Sequence, residues 1–202
     1  MTDAVLRRRK ELLLGPIARR TPRAVHPTTI TLIAVVPGIG AALAAANGRE
    51  ALAVGLWLLN RVLDGLDGTV ARQRERQSDL GAYLDILMDF VVYAAVPIGL
   101  ASHIASRGAW IAATVLLATF YVNTISWAYL AAILERRSAD ASAAQTYTSV
   151  NMPGGLVEGA ETIVMYCAML VVPSSAVGLF WAMSAGVAFT VGQRIVWALK
   201  NL

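Results

Sequence analysis

Apolar residues run along this chain in long blocks separated by short polar clusters, the pattern of helices that face lipid rather than of helices laid on a soluble core. Residues 28–46 predict a first helix of about the ~20 residues a bilayer core requires, with a kink at Pro37-Gly38. A turn over residues 47–50 leads to a second helix that starts near Ala51 and runs past its apolar part into Arg72, Arg74 and Arg76. After a break at residues 77–80, a third helix reaches about Ile104, with a further kink expected at Pro97. Residues 109–134, 156–172 and 176–199 predict three more, separated by a long polar stretch at 135–155 and a Pro173-Ser174-Ser175 turn. Residues 1–23 interleave arginines with leucines and read as an amphipathic helix lying on the membrane surface. The expected fold is all-α: a polytopic membrane protein with six transmembrane helices over residues 28–200, preceded by that surface helix, in a single domain spanning residues 1–202.

Composition agrees: 57% of the 202 residues are hydrophobic and the mean hydropathy is +0.59. A formal charge of +4 raises the question of nucleic acid, but Lys and Arg cluster between the apolar blocks instead of covering a soluble face, so no nucleic-acid partner is expected. With six crossings the N-terminal arm, the segment at 72–76, Arg136-Arg137, and Arg194 with Lys200 fall on one side, and Arg49 and Arg107 on the other. The basic side is then cytoplasmic and holds both termini. The single cysteine, Cys167, lies in an apolar run and excludes a disulfide framework within one chain.

Against this apolar background the stretch from Asp64 to Asp89 stands out. Asp64, Asp67, Gly68, Ala71 and Arg72 recur at helical spacing, as do Gly81, Asp85 and Asp89, which forms two stripes on successive helices. An unpaired charge at bilayer depth costs roughly 2.5 to 3.5 kcal/mol, so four carboxylates there call for a cationic partner. No His or Cys accompanies them, and an oxygen-only set favours Mg²⁺ or Mn²⁺ over Zn²⁺. Two such ions are suited to gripping a pyrophosphate while one P–O bond is exchanged for another. Gly68, Ala71 and Gly81 leave room for a ligand beside the backbone, and Arg72 is placed to reach a phosphate oxygen.

Asp64-x-x-Asp67-Gly68-x-x-Ala71-Arg72, eight residues, then Gly81-x-x-x-Asp85-x-x-x-Asp89 resembles the full signature of the CDP-alcohol phosphatidyltransferase family, with every fixed position and gap matched. The resemblance implies transfer of the phosphatidyl group of CDP-diacylglycerol to an alcohol with release of CMP, in a membrane enzyme that works as a homodimer. It further implies that Asp64, Asp67 and Asp85 are metal ligands. Asp89 is then the catalytic base that takes the acceptor's proton, while also reaching a metal. Gly68, Ala71, Arg72 and Gly81 would line the CDP site; Ser78 either joins them or caps a helix.

The likeness thins in two places. Thr28 stands where many relatives have an asparagine before the first span, which leaves it a weaker nucleotide contact, and His26 beside it reads as an interfacial side chain. His103 is expected at the opposite membrane face, away from the chemistry. For the acceptor alcohol, Arg136, Arg137 and Arg194 are candidates if it bears a phosphate, whereas Glu158 and Glu161 suit a neutral or cationic one or simply pair with those arginines. Other readings are a divalent-cation transporter, for which the carboxylates would be spread along a path, a catalytically silent lipid-binding or scaffold protein, which would tolerate loss of an aspartate, and the same chemistry with a CDP-linked head group as donor and diacylglycerol as acceptor.

Overall fold

The computed structural model describes residues 14–143, 155 and 159–202. A short helical stretch, α1, covers described residues 14–20. It is followed by α2 (Pro27–Ala46), α3 (Glu50–Gln73), α4 (Asp79–Ile104), α5 (Arg107–Ala143), α6 (Gly159–Val171), a 3₁₀ turn at Pro173–Ser175 and α7 (Ala176–Asn201). No strand occurs among the described residues. The chain divides into two compact units, one up to Ala105 and one from Ser106.

Four segments are long and apolar enough to cross a bilayer: Pro27–Ala46, Asp79–Ile104, Arg107–Arg137 and Pro173–Asn201. Val36, Leu43, Tyr121, Ile125, Val164 and Leu199 are each more than half exposed, as side chains that meet lipid are. The chain is an integral membrane protein. Of the remaining two helices expected to span, α3 carries Arg61, Asp64, Asp67 and Arg72 along its 24 residues, and α6 has 13 described residues. The surface-helix reading falls largely on residues 1–13, outside the described residues. Within 14–20, Ala18 packs with Ile30, Leu66 and Val70.

In the first unit α3 and α4 both pack on α2. The buried positions of α2 (Pro27, Ile30, Thr31, Ala34, Pro37, Gly38, Ala41, Ala42, Ala44 and Ala45) recur mostly every three to four residues, so one broad stripe faces its neighbours. Contact with α4 depends on missing side chains: a Cβ on Gly99 would lie 2.2 Å from the Ala42 carbonyl oxygen, and one on Gly38 would lie 2.5 Å from Val92. Pro37 and Pro97 sit inside continuous helices. At the α2–α3 turn Gly48 has φ +65°, and a Cβ there would strike the His103 ring at 2.6 Å.

At the start of α2, Arg74 holds the incoming chain. Its guanidinium donates to the carbonyls of Thr21 (2.6 Å), Val25 (2.9 Å) and Pro22 (3.3 Å). His26 then caps α2, its ring accepting from the Thr28 amide at 3.4 Å, so its role is structural.

In the second unit α7 packs on α5 and α6 through Ala176, Phe180, Met183, Val187, Val191 and Arg194, again one stripe. Two expected boundaries move. The fourth helix does not end at Leu134: it continues through Arg136 and Arg137 to Ala143, because Glu, Arg, Ala and Ser follow with no Gly or Pro to stop it. The break before α4 begins earlier than residue 77, with Arg74 as C-cap of α3 and Glu75 at φ 53°.

Candidate active site

The acidic residues occupy two adjoining cavities of the first unit. The outer one, about 260 Å³, is lined by Thr28 and Thr31 from α2, by Asp67, Gly68, Ala71 and Arg72 from α3, and by Ser78, Gly81 and Asp85 at the start of α4. The inner one, about 10 Å³, is lined by Thr31, Asn60, Asp64, Asp85 and Asp89. Asp85 and Thr31 belong to both. The outer volume approaches that of small-molecule pockets; the inner has room for one water or one ion.

Each wall follows from local sequence. Ser78 is the N-cap of α4, extended at φ −146°, ψ 150°, and its hydroxyl accepts from the Gly81 amide at 3.1 Å. The cap turns Gly81 towards Thr28, where an added Cβ would stand 3.0 Å from the Ser78 hydroxyl and 3.8 Å from that of Thr28. Ser78 thus caps the helix and also borders the outer cavity. Thr28 pairs with the His26 ring at 3.1 Å. A Cβ on Gly68 would meet Arg72 at 3.3 Å, so a larger residue there would crowd the guanidinium.

The carboxylates are held in two different ways. Asp67 is buried at 5% exposure; it accepts from the Thr31 hydroxyl at 2.5 Å and from its neighbouring Gly68 amide at 2.5 Å. Asp89 is gripped by Arg61, whose Nη2 donates to its Oδ1 at 2.8 Å, and Arg61 Nη1 stands 3.9 Å from Asp64. The guanidinium lies 4.8 Å from the Trp57 ring centroid and 4.9 Å from that of Tyr93, beside two adjoining rings whose centroids are 5.9 Å apart, and donates to the Tyr93 hydroxyl and to Asn60 Oδ1. Asp64 and Asp85 both interact electrostatically with Asp67, and Asp64 with Asp89.

The donors are all oxygens, as a hard divalent cation requires, and Asp85 faces both cavities. No three His, Cys, Asp or Glu side chains among the described residues close on one point. The set thus fits such an ion by chemistry and neighbourhood, with the carboxylates resting on Thr31 and Arg61. Sequence reasoning missed those two residues. Thr31, one turn after Thr28, carried a weak signal; Arg61, three before Asp64 in an apolar run, was a buried-charge anomaly visible in the sequence.

The structure thus brings Thr28, Asp64, Asp67, Gly68, Ala71, Arg72, Ser78, Gly81, Asp85 and Asp89 together. The acceptor candidates belong to the second unit. Arg137 donates to the carbonyls of Asn201 (3.2 Å) and Leu202 (2.7 Å) at the end of α7. Arg194 is buried at 7% exposure and lines a largely apolar cavity of about 320 Å³. Its Nη1 donates to Asn123 and, at 3.4 Å, to Ser126. Its Nε has no hydrogen-bond partner among the described residues. Arg136 is exposed near the end of α5, Glu161 is exposed in the first turn of α6, and Glu158 lies outside the described residues.

Residues 24–192 match the sequence model of the CDP-alcohol phosphatidyltransferase family, a span that covers most of both units. Inner membrane protein YnjF of Escherichia coli is 36% identical over 146 residues, 70% of this chain and 68% of that protein. CDP-diacylglycerol–serine O-phosphatidyltransferase of Mycobacterium tuberculosis is 31% identical over 86 residues, 43% of this chain but only 30% of that enzyme. The fold is shared with the phosphatidylinositol phosphate synthase PgsA1 of Mycobacterium tuberculosis. Its crystal structure with CDP-DAG bound aligns with a TM-score of 0.70 over 89% of this chain and 90% of that one, at 24% identity. The structure of PgsA1 in complex with manganese and citrate aligns at 0.69.

Proposed function

This chain belongs to the CDP-alcohol phosphatidyltransferase family, and we propose that it transfers the phosphatidyl group of CDP-diacylglycerol to an alcohol and releases CMP. The observation that carries this reading is the convergence of the whole family signature, from Asp64 to Asp89, on two connected cavities of one unit. A transporter path is not favoured, because the four carboxylates line two adjoining cavities of one unit, with Asp85 in both, rather than spread along the helices.

In this mechanism the nucleotide end of the donor enters the outer cavity, where Gly68, Ala71 and Gly81 let it approach the backbone. Arg72 contacts a phosphate oxygen, with Thr28 and Ser78 supplying hydroxyls. Asp64, Asp67 and Asp85 hold divalent cations, Mg²⁺ or Mn²⁺ and two in number, with Asp89 within reach. When bound they supply charge neutralisation at the pyrophosphate and at departing CMP. Asp89 takes the proton of the acceptor hydroxyl as that oxygen attacks phosphorus. Of the acceptor candidates, Arg194 is the one suited to an anionic group, since it lines a cavity of the second unit with its Nε unengaged.

All six helices from α2 to α7 cross the membrane in this reading, as one domain, with the N-terminal segment as a surface helix, both termini and the acidic site at the cytoplasmic face, and two chains forming a homodimer. The test is CMP release by purified protein from CDP-diacylglycerol with Mg²⁺ or Mn²⁺, screened over glycerol 3-phosphate, inositol, inositol phosphate, serine, choline and phosphatidylglycerol. Acceptor-dependent CMP that stops with a chelator and returns with added metal is expected. Activity only with CDP-choline or CDP-ethanolamine and diacylglycerol would reverse the roles of donor and acceptor, and turnover indifferent to chelation would sink the metal reading.

A further inference from the structure

Arg61 lies outside the signature, yet it is the most heavily constrained cation described in the first unit. It is buried at 9% exposure on α3, in a position where an uncompensated charge would be expensive. Four restraints act on one guanidinium. Trp57 and Tyr93 pack against it as two adjoining rings, the Tyr93 hydroxyl takes Nη1 at 2.8 Å, Asn60 Oδ1 takes Nε and Nη2, and Asp89 Oδ1 takes Nη2. Asn60 is itself anchored, donating to the Ala34 carbonyl of α2 at 2.7 Å. The planar fork therefore cannot swing, and whatever it holds inherits its position.

What it holds is asymmetric. Asp67 rests on a hydroxyl and an amide, neutral donors that leave its charge available to a metal ion. Asp89 takes a 2.8 Å hydrogen bond from the fixed cation through one oxygen, whereas the same guanidinium stands 3.9 Å from Asp64, so it is the Asp89 carboxylate whose direction is set. A group that must meet an acceptor hydroxyl during attack needs a fixed direction, because misplacement by about 1 Å costs on the order of a hundredfold in rate. From this geometry we infer that Arg61 is a positioning residue: it holds Asp89 by Oδ1 so that the carboxylate acts as an oriented base while Asp64, Asp67 and Asp85 do most of the metal binding. The inference rests on the proposed phosphatidyl transfer.

The test is steady-state kinetics of Arg61→Met, Arg61→Lys and Tyr93→Phe in detergent, with Mn²⁺ binding measured on the same preparations. Arg61→Met is expected to lower kcat about a hundredfold, with KM for CDP-diacylglycerol and Mn²⁺ affinity within about threefold of wild type. Arg61→Lys keeps the charge without the fork and should recover part of the loss. Tyr93→Phe, which removes one restraint and keeps the ring, should lower kcat several-fold at unchanged KM, and it decides the matter if Arg61→Met does not fold. A kcat within threefold of wild type for Arg61→Met, or donor and Mn²⁺ affinities falling as far as kcat, would overturn the positioning role. A double-mutant cycle of Arg61→Lys and Asp89→Asn on melting temperature separates this inference from the function itself. Non-additive shifts are expected, and additive ones would refute the pairing even if the wild-type protein released no CMP.

Discussion

The outer and inner cavities share Asp85 and Thr31 but are built on opposite principles. The outer is shaped by small residues, Gly68, Ala71 and Gly81, and by hydroxyls; its walls are set by what is missing. The inner is a nearly closed space where three carboxylates, Asp64, Asp85 and Asp89, meet Thr31, Asn60 and the apolar side chains of Ala34, Val35, Met88 and Val92, with Asp89 held from behind by Arg61. The difference assigns labour: a space of about 260 Å³ accommodates part of a substrate, whereas one of about 10 Å³ admits an ion or the reacting atoms.

The sharpest way to break that division is Asp89→Asn. Turnover should fall by roughly 10² to 10⁴, the range of general-base catalysis, while donor and Mn²⁺ binding persist; equal activity of variant and wild type would remove Asp89 as base. Asp85→Asn touches both cavities, so it should weaken Mn²⁺ binding and lower kcat together, by about 10² to 10³. A loss confined to KM would mean that Asp85 serves the outer cavity alone. Thr31→Val deletes the hydroxyl that supports Asp67 with little change of shape, and titration with Mn²⁺ should show affinity lower by about 10- to 100-fold. Gly81→Val pushes into the outer cavity next to Ser78 and should raise KM for CDP-diacylglycerol roughly tenfold at little cost to kcat. An unchanged KM would place the nucleotide elsewhere. The smallest effect belongs to Ser78→Ala, about 1 kcal/mol of helix stability from a lost cap, read as a lower melting temperature, with KM for CDP-diacylglycerol raised roughly threefold by the lost hydroxyl.

Most of the helical plan was legible because bilayer-length apolar blocks and Gly or Pro breaks are local signals. The helix starts at Pro27 and Glu50 fall within a residue of expectation and that at Asp79 within two. The end of α5 was misread because a polar composition was taken as a stop, although Glu135 to Ala143 contains no helix breaker. The signature residues were legible for the same reason, being spaced along two helices. Their surroundings were not: α3 and α4 both lean on α2, so Thr31, 36 residues before Asp67, becomes its hydrogen-bond partner.

The linear order of residues decided the helical class, the segments that suit a bilayer, and which side chains share a helical stripe, since each depends on spacing within one element. Only the packed structure decided that Arg61 would meet Asp89 across 28 positions and that one carboxylate would rest on a hydroxyl while another rests on a cation. Those pairings follow from how α2, α3 and α4 are rotated against one another. That packing depends on Gly99, which lets the Ala42 backbone approach, and on Gly38, which makes room for the Val92 and Asn60 side chains, a property of contacts between helices that no single stretch of sequence contains.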